Sequence, residues 1–175
     1  MLDLRPLPAL ANRKPFASPR IGLSALPEGT VLHVIAGPKA PDQTASLERL
    51  AAETGLALRA LPPGQWLLVG DRPTPHAQVR RLLAALEPHA TGIDQSHGRV
   101  RMRLDGPMAS TVLSKGTAVD LHLSAFPKNH TVATLIGHVS AHLTRHDTDV
   151  FEIAALRSLA GSLWDDLAGM CAEFL

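Results

Sequence analysis

Between residues 30 and 96 the spacing of apolar side chains changes from that of a strand to that of a helix and back, twice. Thr30–Ala36, TVLHVIA, is short, apolar and β-branched, the signature of a buried strand. Asp42 stands where an N-cap belongs. Leu47, Leu50 and Ala51 then share one face of a helix expected to run through about Glu53, with Gly55 as its stop. LALRALP alternates like a strand, Pro62-Pro63-Gly64 turns the chain, and QWLLVG reads as the next strand. Pro75 opens a second helix carrying Val79, Leu82, Leu83 and Leu86 at helical spacing and ending by Pro88. TGIDQS supplies a closing strand. The order β-α-β-β-α-β is ferredoxin-like, which confines this half to a single antiparallel sheet with helices on one face.

The second half varies the theme. RVRMRLDG has period two, with Arg99, Arg101 and Arg103 on one face and Val100, Met102 and Leu104 on the other. A short helix is expected at about Pro107–Leu113, stopped near Gly116. VDLHLSAFPKNH is irregular, since Pro127 has no N–H for a central strand. TVATLIG, HVSAHLTRH and VFEIAAL read as strands, and a last helix from near Ser158 carries Leu159, Leu163, Trp164, Leu167, Met170, Cys171 and Phe174. The fold class is therefore α+β: two fused ferredoxin-like units with antiparallel sheets, over 30–96 and 97–175. Residues 1–29, with Pro6, Pro8, Pro15, Pro19 and Pro27, form an extended arm. Its Leu2, Leu4, Leu7, Leu10 and Phe16 give it more apolar character than a solvated tail requires, so it reads either as a disordered end or as an arm that lies along a partner chain.

Charge and composition narrow the function. Seventeen basic residues against sixteen acidic ones remove the simplest electrostatic case for nucleic acid, and aromatics at 3% offer few rings for stacking bases. No apolar run approaches the ~20 residues of a membrane span. One cysteine, Cys171, leaves no internal disulfide, consistent with a cytoplasmic protein.

The nine histidines invite a metal reading. His138, His142 and His146 would share a helix face, but HVSAHLTRH alternates polar and apolar, with Arg145 alone breaking the apolar side. On a strand, residues four apart are ~13 Å from one another, too far for one ion. No metal site is expected. The Rossmann, Walker, G-x-S-x-G and H-E-x-x-H patterns are all missing. Asp94, Ser96 and His97 could form a catalytic group or a structural corner. Neighbouring strand residues face opposite ways, so a hydrogen-bonded corner opening the arginine strand is expected. Arg99, Arg101 and Arg103 are the candidate partner interface; no catalytic, cofactor-binding or metal-binding residue is assigned.

Longer blocks then carry a resemblance. Asp94-Gln95-Ser96-His97-Gly98-Arg99, Gly106-Pro107-Met108-Ala109, Lys115-Gly116, Asp120-Leu121-His122, Ala125-Phe126-Pro127 and Ser162-Leu163-Trp164-Asp165 follow in fixed order, with GQWLLVG upstream. Over roughly residues 60–168 the chain resembles the gamma subunits of heterotetrameric sarcosine oxidases, themselves similar to the folate-binding aminomethyltransferase, the glycine-cleavage T-protein. The resemblance implies T-protein-like α+β units and a non-catalytic, structural chain. Its alpha, beta and delta partners would oxidise sarcosine to glycine, pass the one-carbon unit to tetrahydrofolate and produce hydrogen peroxide. It places FAD, FMN, NAD, tetrahydrofolate and zinc on the partner subunits and no cofactor on this chain. The T-protein's acidic motif G-G-I-x-D-D has no counterpart, because IGHVSAHLTRH contains no carboxylate before Asp147. A free-standing folate-dependent aminomethyltransferase is thereby disfavoured as the alternative. An anion- or RNA-binding module built on the arginines is the third reading.

Overall fold

The computed structural model describes residues 7–61 and 63–175. The first sheet holds β3 (Thr30–Ala36), β4 (Ala57–Leu61), β5 (Gln65–Gly70) and β6 (Ala90–Asp94), in the antiparallel order β4-β5-β3-β6. That is the ferredoxin-like order expected from the sequence. α1 (Thr44–Thr54) and α2 (His76–Ala84) cover one face. Leu32, Val34, Trp66 and Leu68 of the sheet pack there against Leu47, Ala51, Val79 and Leu82 of the helices. Asp42 Oδ1 accepts hydrogen bonds from the Thr44 amide at 3.0 Å and its hydroxyl at 2.7 Å, so Asp42 organises the start of α1. Gly55, at φ 68°, closes α1 in the left-handed conformation that glycine adopts without strain.

The second sheet has six strands. β7 (Arg99–Asp105), β8 (Thr131–Ile136), β9 (Val139–Asp147) and β10 (Val150–Leu156) come from the second half. They are joined by β1 (Phe16–Ala17) and β2 (Gly22–Ala25), giving the order β1-β2-β7-β10-β9-β8. The reading of residues 1–29 as an arm outside the two units is corrected for its later part: Gly22–Ala25 pairs antiparallel with Asp105–Met102, and Leu10, Ile21 and Leu23 are buried in this unit's core. In a ferredoxin-like unit a strand after the last helix would lie beside the first strand. β2 takes that edge, and β8 adds a strand at the other. Leu2 and Leu4 lie outside the described residues.

α3 (Ala109–Ser114) and α4 (Ala160–Cys171) cover one face of this sheet, α4 entered through a 3₁₀ turn at Arg157–Leu159. Val100, Met102, Leu104, Leu143, Phe151 and Ile153 pack there against Leu113, Leu163, Trp164 and Leu167. Removing such side chains from water, at ~25 cal/mol per Å², is the main favourable term of this unit. The helix-free faces of the two sheets meet each other. Arg59 on β4 reaches His146 and Glu152, and Arg101 on β7 reaches the end of β5. The connection entering β3 passes very close to β5: a Cβ at Gly29 would lie 2.1 Å from the Gly70 carbonyl oxygen.

Candidate inter-sheet charge cluster

β7 delivers its side chains by strict alternation. With Val100, Met102 and Leu104 in the core, the three arginines face the other sheet, and their environments differ. Arg101 is taken up wholly inside the chain, its side chain 4% exposed. Its Nη2 donates to Asp71 Oδ1 at 2.6 Å, to the Gly70 carbonyl at 3.2 Å and to the Pro27 carbonyl at 3.3 Å. Its Nη1 donates to Glu152 Oε2 at 3.5 Å.

Glu152, on β10, is the anionic centre. Its Oε2 also lies 3.1 Å from His146 Nε2 and 3.5 Å from Arg59 Nη2. Burial pushes this carboxyl up. The hydrogen bond from His146 and the charges of Arg59 and Arg101 outweigh it, so the carboxyl titrates below its ordinary value. Arg59, Arg101, Arg103, His146, Asp71 and Glu152 line a cleft of about 460 Å³ between the two sheets.

Arg99 belongs to a second, separate group. Its Nε donates to Gln95 Oε1, and its Nη1 lies 3.3 Å from His142 Nδ1. Burial lowers the Arg99 pKa. Burial, then the Arg99 charge, then His33 press the His142 pKa down to about 4, so at neutral pH the imidazole is an acceptor for Arg99. His33 Nε2 in turn lies 3.0 Å from Gln65 Oε1. Arg103 is the outlying member, 43% exposed at its side chain and 3.6 Å from Asp105 Oδ2. The expectation of one continuous partner-facing strip is thus corrected. Arg101 is consumed between the sheets and Arg99 largely so, leaving Arg103 as the arginine at the surface.

The corner is built by two of its three expected residues. Asp94 Oδ1 accepts from the Ser96 amide at 3.0 Å and the Ser96 hydroxyl at 2.6 Å, while Ser96 Oγ accepts from the Val31 amide at 3.0 Å. This ties the end of β6 to the start of β3. His97 is corrected: its ring is exposed and has no hydrogen-bond partner among the described residues. It sits within the turn that the Gly98 and Arg99 amides close on the Gln95 carbonyl, and projects from it.

The histidine run is a strand, as its alternation requires. His142 and His146 lie on β9, and His138 is exposed in the turn before it. Arg145, the residue breaking the alternation, is 1% exposed on the core side. It donates to the Leu121 and Thr148 carbonyls and stacks 4.4 Å from the Phe151 ring centroid. Among the described residues no group of three or more His, Cys, Asp or Glu could hold a metal ion, and no helix is long and apolar enough to cross a membrane.

Sequence reasoning missed Glu152, Arg59 and Asp71. The signal was there for the first two: VFEIAAL and LALRALP each place one charge inside a strand otherwise fit for burial. A charge in such a place needs a partner.

Residues 37–173 match the sarcosine oxidase gamma subunit family. The chain is 31% identical over 142 residues to the sarcosine oxidase subunit gamma of an Arthrobacter species, covering 78% of this chain and 68% of that protein. Its fold matches a chain of the heterotetrameric sarcosine oxidase from Corynebacterium sp. U-96 with a TM-score of 0.80, at 23% identity, over 97% of this chain and 96% of that one. It also matches the glycine cleavage system aminomethyltransferase T of Bartonella henselae with a TM-score of 0.60, at 20% identity, over 86% of this chain and 46% of that one. At those identities the two structural matches speak to the fold, which is T-protein-like.

Proposed function

Because the chain belongs to the sarcosine oxidase gamma subunit family, we propose that it acts as the structural gamma subunit of a heterotetrameric sarcosine oxidase. In such a complex sarcosine is oxidised to glycine, its one-carbon unit passes to tetrahydrofolate, and oxygen is reduced to hydrogen peroxide. The partners are the alpha, beta and delta subunits, which hold FAD, FMN, NAD, tetrahydrofolate and zinc, and the assembly is cytoplasmic. The family match over residues 37–173 carries this reading.

The charge cluster supports a structural role for this chain. Glu152 faces two guanidiniums and an imidazole, which hold it ionised and engaged rather than free to shuttle a proton. The helix-free sheet faces also leave Ile35, Ile93, Leu135 and Leu156 between 38% and 57% exposed. A partner subunit seated on these side chains would remove apolar surface from water.

Co-expression of the four subunits, with and without this chain, tests the reading. The complete set should co-purify with sarcosine oxidation. The set lacking this chain should assemble poorly, and this chain alone should be colourless and inactive on sarcosine. A full-activity complex formed without it would refute the structural role.

A further inference from the structure

Arg99, at the start of β7, is a partly buried cation that meets only uncharged groups. Its Nε donates to Gln95 Oε1, and its Nη1 donates to the neutral His142 imidazole at 3.3 Å. No carboxylate among the described residues pairs with it, and burial lowers its pKa with no acidic charge opposing. Its Nη2 has no acceptor among the described residues and is not sealed from solvent. The other two arginines of β7 have acidic partners, Asp71 and Glu152 for Arg101 and Asp105 for Arg103. The strand registers surround Arg99 with aliphatic side chains. Leu156 is its direct cross-strand neighbour, and Leu135, paired with Ser140, stands diagonal to His142 on the same face. From the other sheet, His33 lies near enough for its charge to act on His142. Ile93 is paired with His33, and Ile35 is the next residue of β3 on that face. All four aliphatic side chains are exposed.

We propose, resting on the reading of this chain as a gamma subunit, that this mouth of the inter-sheet gap seats a partner-subunit segment carrying an Asp or Glu between aliphatic side chains, its carboxylate received by Arg99. The carboxylate supplies what the chain lacks, an acceptor for Nη2 and a counter-charge for a cation already half removed from water. Aliphatic contact around the pair excludes water from it, the setting in which a charged hydrogen bond is strongest. A small free anion would meet the charge and leave the four aliphatic side chains in water, so the occupant is a polypeptide segment.

Two variants, each co-expressed with the other three subunits, test the proposal. Arg99→Gln removes a cation that has no acid in this chain, so the urea midpoint of the free chain should hold or rise. Its association with the other subunits should weaken about tenfold, equivalent to about 1.4 kcal/mol. In the Arg99→Lys complex, a water-soluble carbodiimide should couple the amine at position 99 to an Asp or Glu of a partner, located by mass spectrometry. Native-strength association of Arg99→Gln would overturn the proposal. So would coupling at position 99 to carboxylates of this chain alone, or to none. Failure of the unaltered chain to join the other subunits is a different result, and would refute the gamma-subunit reading itself.

Discussion

Arg101 Nη2 lies 2.6 Å from Asp71 Oδ1, and this contact fastens the central part of one sheet to the end of a strand in the other. The two ends of the bond differ: Arg101 is buried and Asp71 is 64% exposed at its side chain. The guanidinium has therefore given up water for Asp71, Glu152 and two backbone carbonyls. Its position follows from β7 alternation, and its burial follows from the first unit closing over it.

That arrangement sets the first expectation. Arg101→Glu would place a second carboxylate beside Glu152 at a buried position, so it should destabilise the chain by about 3–5 kcal/mol, the range for a broken buried pair. A double replacement, Arg101→Met with Glu152→Leu, should recover much of the loss because no charge is left unpaired. Urea denaturation of the three variants measures both. A native midpoint in Arg101→Glu would show that the side chain can leave the interface freely.

The same cluster marks the limit of what local sequence pattern reveals. β3 matches its expected range, and the βαββαβ order of the first sheet was legible because each element there is set by its own apolar period and its own turn residues. The corner at Asp94 and Ser96 was legible for the same reason, its hydrogen bonds spanning two residues. The burial of Arg101 was not, since Asp71 and Glu152 are 30 and 51 positions away and the alternation of β7 is the same whether its polar face meets water or another sheet. Nor was β2: Gly22–Ala25 is four residues long in a proline-rich stretch, and it becomes a strand only because β7 offers an open edge.

The role of β2 gives a second expectation. Ile21 and Leu23 are 0% and 1% exposed, in the core of the six-stranded sheet. Ile21→Ala or Leu23→Ala should each cost about 2–5 kcal/mol through lost burial and the cavity left behind. Deletion through residue 25 should do more, baring the edge of β7 to intermolecular pairing. Thermal unfolding and light scattering are the measurements. A truncated chain that unfolds cooperatively at the native temperature and stays monomeric would mean β2 is dispensable.

His142 supplies a pH dependence whose sign is fixed by the direction of its shift. Its folded pKa, about 4, lies below the ordinary histidine value of 6.5, so between these values the unfolded chain takes up the proton more readily. Stability should fall as pH drops from about 6.5 toward 4. His142→Gln keeps an acceptor for Arg99 without the titration, and should flatten that part of the profile. Denaturation midpoints across the range read it directly. A wild-type slope in the variant would assign the dependence to other groups.

Assembly provides the last expectation, and its two kinds of surface residue should respond to salt differently. Leu135 and Ile93 are 57% and 48% exposed, so a lysine at either position lets its charge stay in water while the chain folds. Stability should move by no more than about 0.5 kcal/mol. In the complex the same lysine would be pressed against partner surface. Co-purification with the other subunits should weaken about tenfold or more, because a charge is then desolvated without a partner. Salt barely alters that penalty, so the defect should persist across a salt series. Arg103→Glu should instead weaken assembly through a long-range interaction at an exposed rim, and its effect should shrink as salt screens the charge. Native assembly in Leu135→Lys, Ile93→Lys and Arg103→Glu alike would place the partner contact elsewhere, on the helix-covered faces or along the N-terminal strands.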